Sequence, residues 1–161
     1  MVDSLTPAQR SERMSRIRGH DSKPELALRR SLHRLGLRYK LHVKDLPGKP
    51  DLVFPRYKVV VFVHGCFWHR HQGCKIATTP KSNTQFWVEK FGKNVARDSR
   101  VTATLVELGW RVFVAWECDL APSKLESTSN RLAAAIRETV GQPEQGVDVD
   151  SEHKLRPILE H

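Results

Sequence analysis

The sequence predicts a mixed α/β fold, a central sheet flanked by helices. Two apolar runs carry most of that reading. Val59 to Val63 is continuously apolar, as a central strand buried on both faces would be, and Arg111 to Trp116 (RVFVAW) is a second strand candidate. Around them lie three stretches of helical periodicity, beginning near Ser22, Thr84 and Lys124. At 161 residues the chain is long enough for one domain with a real hydrophobic core. The 39% apolar and 28% charged composition is that of a globular protein, not a disordered one.

The elements follow in order. Residues 1–20 are polar and basic, with Met14 and Ile17 as isolated apolar positions, and read as an arm or a short helix. Ser22, Pro24 and Glu25 open the first long helix as an S-x-x-E capping box with proline in the first turn. Leu28, Leu32 and Leu35 repeat at helical spacing, and Gly36 ends the helix. Arg38 to Val43 alternates apolar and basic residues and is expected as a strand. Leu46 to Pro50 is a turn, and Asp51 to Phe54 starts a hairpin closed around Pro55–Arg56, with Val59 to Val63 as its return strand. Thr84 to Leu108 is expected as one long helix ended by Gly109. Arg111 to Trp116 follows as a buried strand, then an amphipathic helix from Lys124 to Val140. Residues 21–140 form the expected domain, and 141–161 an acidic, loose tail rich in Gly and Pro.

The net charge of +9 is uneven: residues 1–50 carry +7, residues 51–100 carry +6, and residues 101–161 carry −4. A basic face of this kind suits a polyanion, because each neutralised phosphate releases condensed counterions. A surface charged only for solubility gives the same count. No apolar run approaches the roughly 18 residues of a membrane span, and Met1 to Arg10 has no signal-peptide core. A cytosolic location is the expectation.

Three cysteines do not make a disulfide framework. Cys66, His71 and Cys74 instead lie within nine residues, and with Cys118 they offer three thiolates and an imidazole, a tetrahedral set that zinc favours. Buried, inert cysteines are the alternative. Asp51, at the start of a strand, is a sensible Mg²⁺ ligand or a turn aspartate bonded to backbone amides. Of His64, His69 and His71, zinc needs one. Spacing assigns His71 to it and frees His64 and His69 for acid–base work, although His69 as the ligand also fits. Phe67 and Trp68, beside the cysteine loop, either wedge against unstacked bases or plug the core, and Trp87 shares that ambiguity. Glu25 serves the site or only its cap.

The run His64–Gly65–Cys66–Phe67–Trp68–His69, preceded by Pro47–Gly48–Lys49–Pro50–Asp51, resembles the very-short-patch-repair (Vsr) DNA mismatch endonucleases. The likeness extends through Arg10–Ser11, Met14, Glu25, Leu28–Arg29, Gly36–Leu37, Phe86–Trp87, Glu89–Lys90, Gly92 to Val95, Arg97–Asp98, Leu108 to Val112 and Trp116 to Cys118, covering about residues 10–120 in one register. It implies a restriction-endonuclease-like (PD-(D/E)XK-type) fold with a structural zinc site, and a bacterial enzyme that nicks one strand 5′ to the thymine of a T:G mismatch left by 5-methylcytosine deamination.

Residue by residue, the resemblance implies Mg²⁺ on Asp51 and on the backbone carbonyl of Val63, with His69 as general acid/base. His64 and Glu25 would support the site, and zinc would sit on Cys66, His71, Cys74 and Cys118. Phe67, Trp68, Trp87 and Met14 would contact DNA, along residues 1–20 as a DNA-contacting arm. A monomer is expected, near the nucleoid, with mismatch-repair proteins as candidate helpers. Two departures stand out: Val63 replaces the family's usual Thr, and the stretch His71–Gln72–Gly73–Cys74 is one residue longer than His-x-Cys. The strand Val59 to Val63 also lacks a Glu-x-Lys pair, so general nuclease-superfamily chemistry is not carried over. The rival expectations are a sequence-specific nuclease of the same fold and a zinc-stabilised DNA-binding module that cuts nothing.

Overall fold

The computed structural model describes residues 6–16 and 19–138. The expectations for residues 1–5, for Ile17 and Arg18 in the arm, and for the tail 141–161 lie outside the described residues. Among the described residues four α-helices and three strands run in the order α1 (Pro7–Ser15), α2 (Lys23–Arg34), β1 (Leu52–Phe54), β2 (Val59–His64), α3 (Thr84–Glu107), β3 (Arg111–Trp116) and α4 (Leu125–Arg137). Single 3₁₀ turns at Pro55–Tyr57 and Glu117–Leu120 join β1 to β2 and lead out of β3.

Helix starts follow local capping chemistry. Thr6 and Gln9 close a full capping box on α1, each side chain satisfying the other's backbone N–H. On α2 the Ser22 hydroxyl accepts the Glu25 N–H at 3.4 Å, but the Glu25 carboxylate turns to Arg29 instead of back to the cap. Half of the expected box is therefore made, because a buried guanidinium outcompetes a backbone amide for that charge. The Arg111 guanidinium caps the other end of α4, donating to the Ala135 and Ile136 carbonyls at 3.0 and 2.9 Å.

β2 is the central strand, as its unbroken apolar run predicts. It pairs antiparallel with β1 and parallel with β3, whose connection is the long crossover helix α3. Val59 and Val61 face a core shared with Leu28 and Leu32 of α2 and with Leu132 and Ile136 of α4. Val60 and Phe62 face a second core with Val101 and Leu105 of α3. Period-two alternation thus sends neighbouring residues into two layers, and the sheet is covered on both faces.

Two strand expectations are corrected. Arg38 to Val43 is not a strand but a single bridge, Lys40 to Val53, because His42 takes a left-handed conformation (φ 55°) and turns the chain away. β3 is not a fully buried strand: it lies at the sheet edge, and only Ala115 is buried while Val114 is exposed. The glycine of the Pro47–Gly48 turn is required by space as well as by its φ of +71°. A Cβ there would lie 2.3 Å from a Val101 methyl, and that contact seats the turn beside Asp51 on α3.

Candidate active site and metal centre

β2 and β3 run parallel and end together, with His64 paired to Trp116. Both exit loops therefore leave from one edge of the sheet, and residues fifty positions apart become neighbours. Glu117 fixes this junction by accepting the Cys66 backbone N–H at 3.1 Å.

The junction gathers Cys66, His71, Cys74 and Cys118, whose ligating atoms all lie within 4.8 Å of one another. No disulfide links the cysteines. The His71 Nδ1 lies 3.3 Å from the Cys118 sulfur and 3.6 Å from that of Cys66. Bonds of roughly 2.0–2.3 Å to a tetrahedral ion place ligand atoms roughly 3.5 Å apart, so the spacing fits a bound metal. Burial pushes the Cys66 thiol up to about 12. Without a cation it stays protonated, and a coordinated ion would supply the charge that lets it ionise. The His71 ring is stacked on Trp116 at 4.2 Å, which fixes its plane. Gly73 sits at φ +72° with open space around it, so the longer loop before Cys74 turns there without displacing the sulfur.

Beside this cluster a cavity of about 710 Å³ opens between α1, α2, the sheet edge and α3. Met14, Glu25, Asp51, Val63, Phe67, Trp68 and His69 all line it. The Asp51 carboxylate accepts the Val63 N–H at 2.6 Å. Its pKa nevertheless rises from 3.8 to about 6, chiefly because burial penalises the charge, with the Glu25 carboxylate adding to the effect. Glu25 is itself buried and paired with Arg29, which also bonds Asp21 at 2.7 Å. Two largely buried acidic side chains on one cavity wall, one of them with a raised pKa, make a good seat for a hard divalent cation.

His69 and His64 stack face to face at 3.8 Å. Burial, followed by the neighbouring His69, lowers the His64 pKa to about 4, so this ring is neutral near pH 7. His69 Nδ1 lies 2.5 Å from Asp98 Oδ2. A carboxylate only accepts, so the proton sits on Nδ1 and Nε2 is left as the reactive nitrogen. The His64, His69 and Asp98 ligating atoms also lie within 4.8 Å of one another.

The aromatic residues divide into two layers. Phe67 and Trp68 are partly exposed and meet edge to face at 5.0 Å on the cavity wall. Trp87, which the residues left open between base stacking and core packing and the resemblance placed on DNA, is only 5% exposed and underlies Phe67 beside Phe91, so it packs in the core and not on the cavity surface. Lys90 lies 5.3 Å from the Trp68 ring centre, and Asn94 donates to the Trp68 carbonyl at 3.1 Å, so α3 holds the Phe67–Trp68 pair in place.

Residues 2–75 match the family described as DNA mismatch endonuclease Vsr. The chain is 38% identical over 152 residues to the DNA mismatch endonuclease Vsr of Escherichia coli, covering 94% of this chain and 96% of that protein. The chain belongs to the Vsr family. It is also 50% identical over 121 residues to the type II nicking enzyme V.XorIIP of Xanthomonas oryzae, covering 75% of this chain and 88% of the relative. A second nicking enzyme, V.NmeAIP of Neisseria meningitidis, is 42% identical over 141 residues, or 87% of this chain and all of that protein. As a Vsr family member the chain is a DNA endonuclease, and among the described residues no helix is long and apolar enough to cross a membrane.

Reading residue types in sequence missed three parts of this Vsr-family site: Asp98, Asn94 and Glu117. A signal for the first two is present. Trp87, Phe91, Asn94, Asp98, Val101 and Leu105 form one inward stripe of α3 at helical spacing. An amide and an acid interrupting an otherwise apolar stripe mark the point where the helix leaves the core and faces the site.

Proposed function

We propose that this chain nicks one strand of duplex DNA 5′ to the thymine of a T:G mismatch, by Mg²⁺-dependent phosphodiester hydrolysis, and so starts very short patch repair. The observation that carries this reading is one cavity holding three kinds of group together: the Asp51–Glu25 carboxylates, the Asp98-oriented His69, and the Phe67–Trp68 blade with Met14 opposite. A nuclease needs the first two; discrimination of a weakened base pair needs the third.

Magnesium would be held by Asp51 and the Val63 main-chain carbonyl, with Glu25 in support, and it supplies Lewis acidity toward the phosphate and the attacking water. Val63 in place of Thr is then harmless, because only the main chain is used. His69 exchanges the proton at Nε2 while Asp98 holds Nδ1. His64, neutral, keeps that ring in its plane. Phe67 and Trp68 enter the base stack, backed by the buried Trp87. A mispaired step costs less to open, so the same insertion selects the lesion. Zinc on Cys66, His71, Cys74 and Cys118 pins the loop that carries both the blade and His69, and with four protein ligands it has no open position for substrate.

The mixed three-stranded sheet, with an acid opening the antiparallel strand and a helix crossing over to the parallel one, supports a restriction-endonuclease-like fold. Residues 21–140 are the endonuclease domain in this reading. Residues 1–20 are the DNA-contacting arm, and the enzyme acts as a monomer in the bacterial cytoplasm. The nicking-enzyme relatives keep one second reading alive, a nuclease selective for sequence on paired DNA. Asp51→Ala tests the first: it should abolish nicking of a T:G duplex and leave duplex binding largely intact. Equal nicking of matched duplexes by the unaltered protein would favour the second.

A further inference from the structure

The loop that leaves β2 is built on one turn. The His69 N–H donates to the Gly65 carbonyl at 3.1 Å, and Phe67 and Trp68 lie between them. The blade and the acid–base residue therefore share a single closing bond. Its acceptor belongs to the peptide unit that joins Gly65 to Cys66. The other end of that unit, the Cys66 N–H, donates to the Glu117 carboxylate at 3.1 Å. A peptide unit is planar, so the side chain that holds its N–H also sets where its carbonyl points.

The strand register brings Glu117 within reach. His64 and Trp116 are the last paired residues of β2 and β3, and Gly65 and Glu117 are the next positions on the two chains. A Cβ on Gly65 would lie 3.3 Å from the Trp68 indole and 3.6 Å from a Glu117 carboxylate oxygen, so ring and carboxylate close on this glycine together. The metal cluster is a different kind of anchor. It holds the Cys66 sulfur and acts on the main chain only through the Cα–Cβ rotation, whereas a charge-assisted bond to the N–H acts on the main chain directly. Glu117 also borders the active-site cavity, where an acid repels a polyanion; the bond to the Cys66 N–H is the compensating gain.

We propose that Glu117 is a positioning residue for strand nicking: through the Gly65–Cys66 peptide it sets where His69 and the Phe67–Trp68 blade stand in the cavity. The inference rests on the nicking reading, which supplies the roles of His69 and the blade. What Glu117 contributes is an acceptor at a fixed reach, not its charge. A neutral amide oxygen at the same reach serves equally, because it accepts the same N–H and its amide can donate to water in the cavity. A carboxylate one methylene shorter falls short of the Cys66 N–H and leaves the peptide plane unheld.

The test compares two variants of the full-length, zinc-loaded protein. Glu117→Gln keeps the acceptor and loses the charge; Glu117→Asp keeps the charge and loses the reach. On a T:G duplex in Mg²⁺, Glu117→Asp should lower kcat by about 10²-fold with KM little changed, the cost of a displacement of about 1 Å at the reacting groups. Glu117→Gln should nick at close to the unaltered rate. A second readout needs neither DNA nor cutting. Amide hydrogen exchange at Cys66 and His69 should be faster by about 10-fold or more in Glu117→Asp and near the unaltered rate in Glu117→Gln. A Gln variant as impaired as the Asp variant, an Asp variant that nicks normally, unchanged exchange in the Asp variant, or a defect that tracks lost zinc would each overturn the role. The exchange measurement decides whether Glu117 holds the turn even if the unaltered protein does not nick, so a failure of this inference and a failure of the nicking reading are told apart.

Discussion

Replacing Asp51 with Asn should make the metal-free protein more stable, and only at pH values where the aspartate is charged. In the folded chain the carboxyl titrates at about 6 against an ordinary 3.8. The folded state therefore holds an extra proton between about pH 4 and pH 6 relative to the unfolded state. Native stability falls as pH rises through that window, and the whole cost is present above it. A gap of about 2 pKa units corresponds to about 3 kcal/mol. Asn brings a second amide hydrogen into the buried seat beside the one that a protonated carboxyl would carry, and that extra donor trims the expected gain to about 2 kcal/mol.

Urea unfolding with zinc present and magnesium absent measures the effect. Asp51→Asn should exceed the unaltered protein by about 2 kcal/mol at pH 8, a shift of about 4–8 °C in a thermal scan, and should not exceed it near pH 4. Other titrating groups are common to both proteins and cancel in the difference. Added Mg²⁺ should raise only the unaltered protein, by an amount that grows with the logarithm of its concentration. An Asp51→Asn variant no more stable at pH 8, or equally stabilised at pH 4, would refute the idea that this carboxylate is kept in a dry seat for a cation.

Three further outcomes follow from the same geometry. Cys118→Ser should lower the zinc bound from about one ion per chain and destabilise the fold by several kcal/mol, read by metal analysis and denaturation; unchanged metal content would remove Cys118 from the ligand set. Trp68→Ala should reduce the preference for T:G over matched duplex by about 10-fold or more, given that one stacked base contributes about 1–3 kcal/mol, and unchanged discrimination would reject the wedge. Asp98→Asn should lower kcat by about 10²–10⁴ with DNA affinity retained, because it removes the group that holds the His69 tautomer. A full-rate Asp98→Asn enzyme would mean that His69 needs no such partner.

The central strand, the three long helices and the hairpin around Pro55 were legible because each rests on local pattern: a two-sided apolar run, helical repeats and a proline turn. The Cys66–Cys74 cluster was legible for the same reason, being close in sequence. Residues 38–43 misled because alternation was present but His42 takes a positive φ, which no neighbour announces. β3 looked buried because composition does not reveal which strand takes the edge. Asp98 and Glu117 were hidden by distance: 29 residues separate Asp98 from His69 and 51 separate Glu117 from Cys66, and only the parallel pairing of β2 with β3 and the course of α3 close those gaps. The Arg29–Glu25 pair was equally unmarked, since an S-x-x-E start reads as a cap whatever the glutamate later contacts.

The most direct measurement is to map and time the cut on an end-labelled duplex in Mg²⁺, with a T:G pair at a defined position in several sequence contexts beside matched controls. The expected result is a single nick 5′ to the mispaired thymine, on that strand alone, with the matched duplex cut at least about 10-fold more slowly, as the lower cost of opening a mispaired step requires. Cutting of both strands, a nick at a fixed sequence regardless of the mismatch, or tight mismatch binding with no cut in Mg²⁺ would each contradict it.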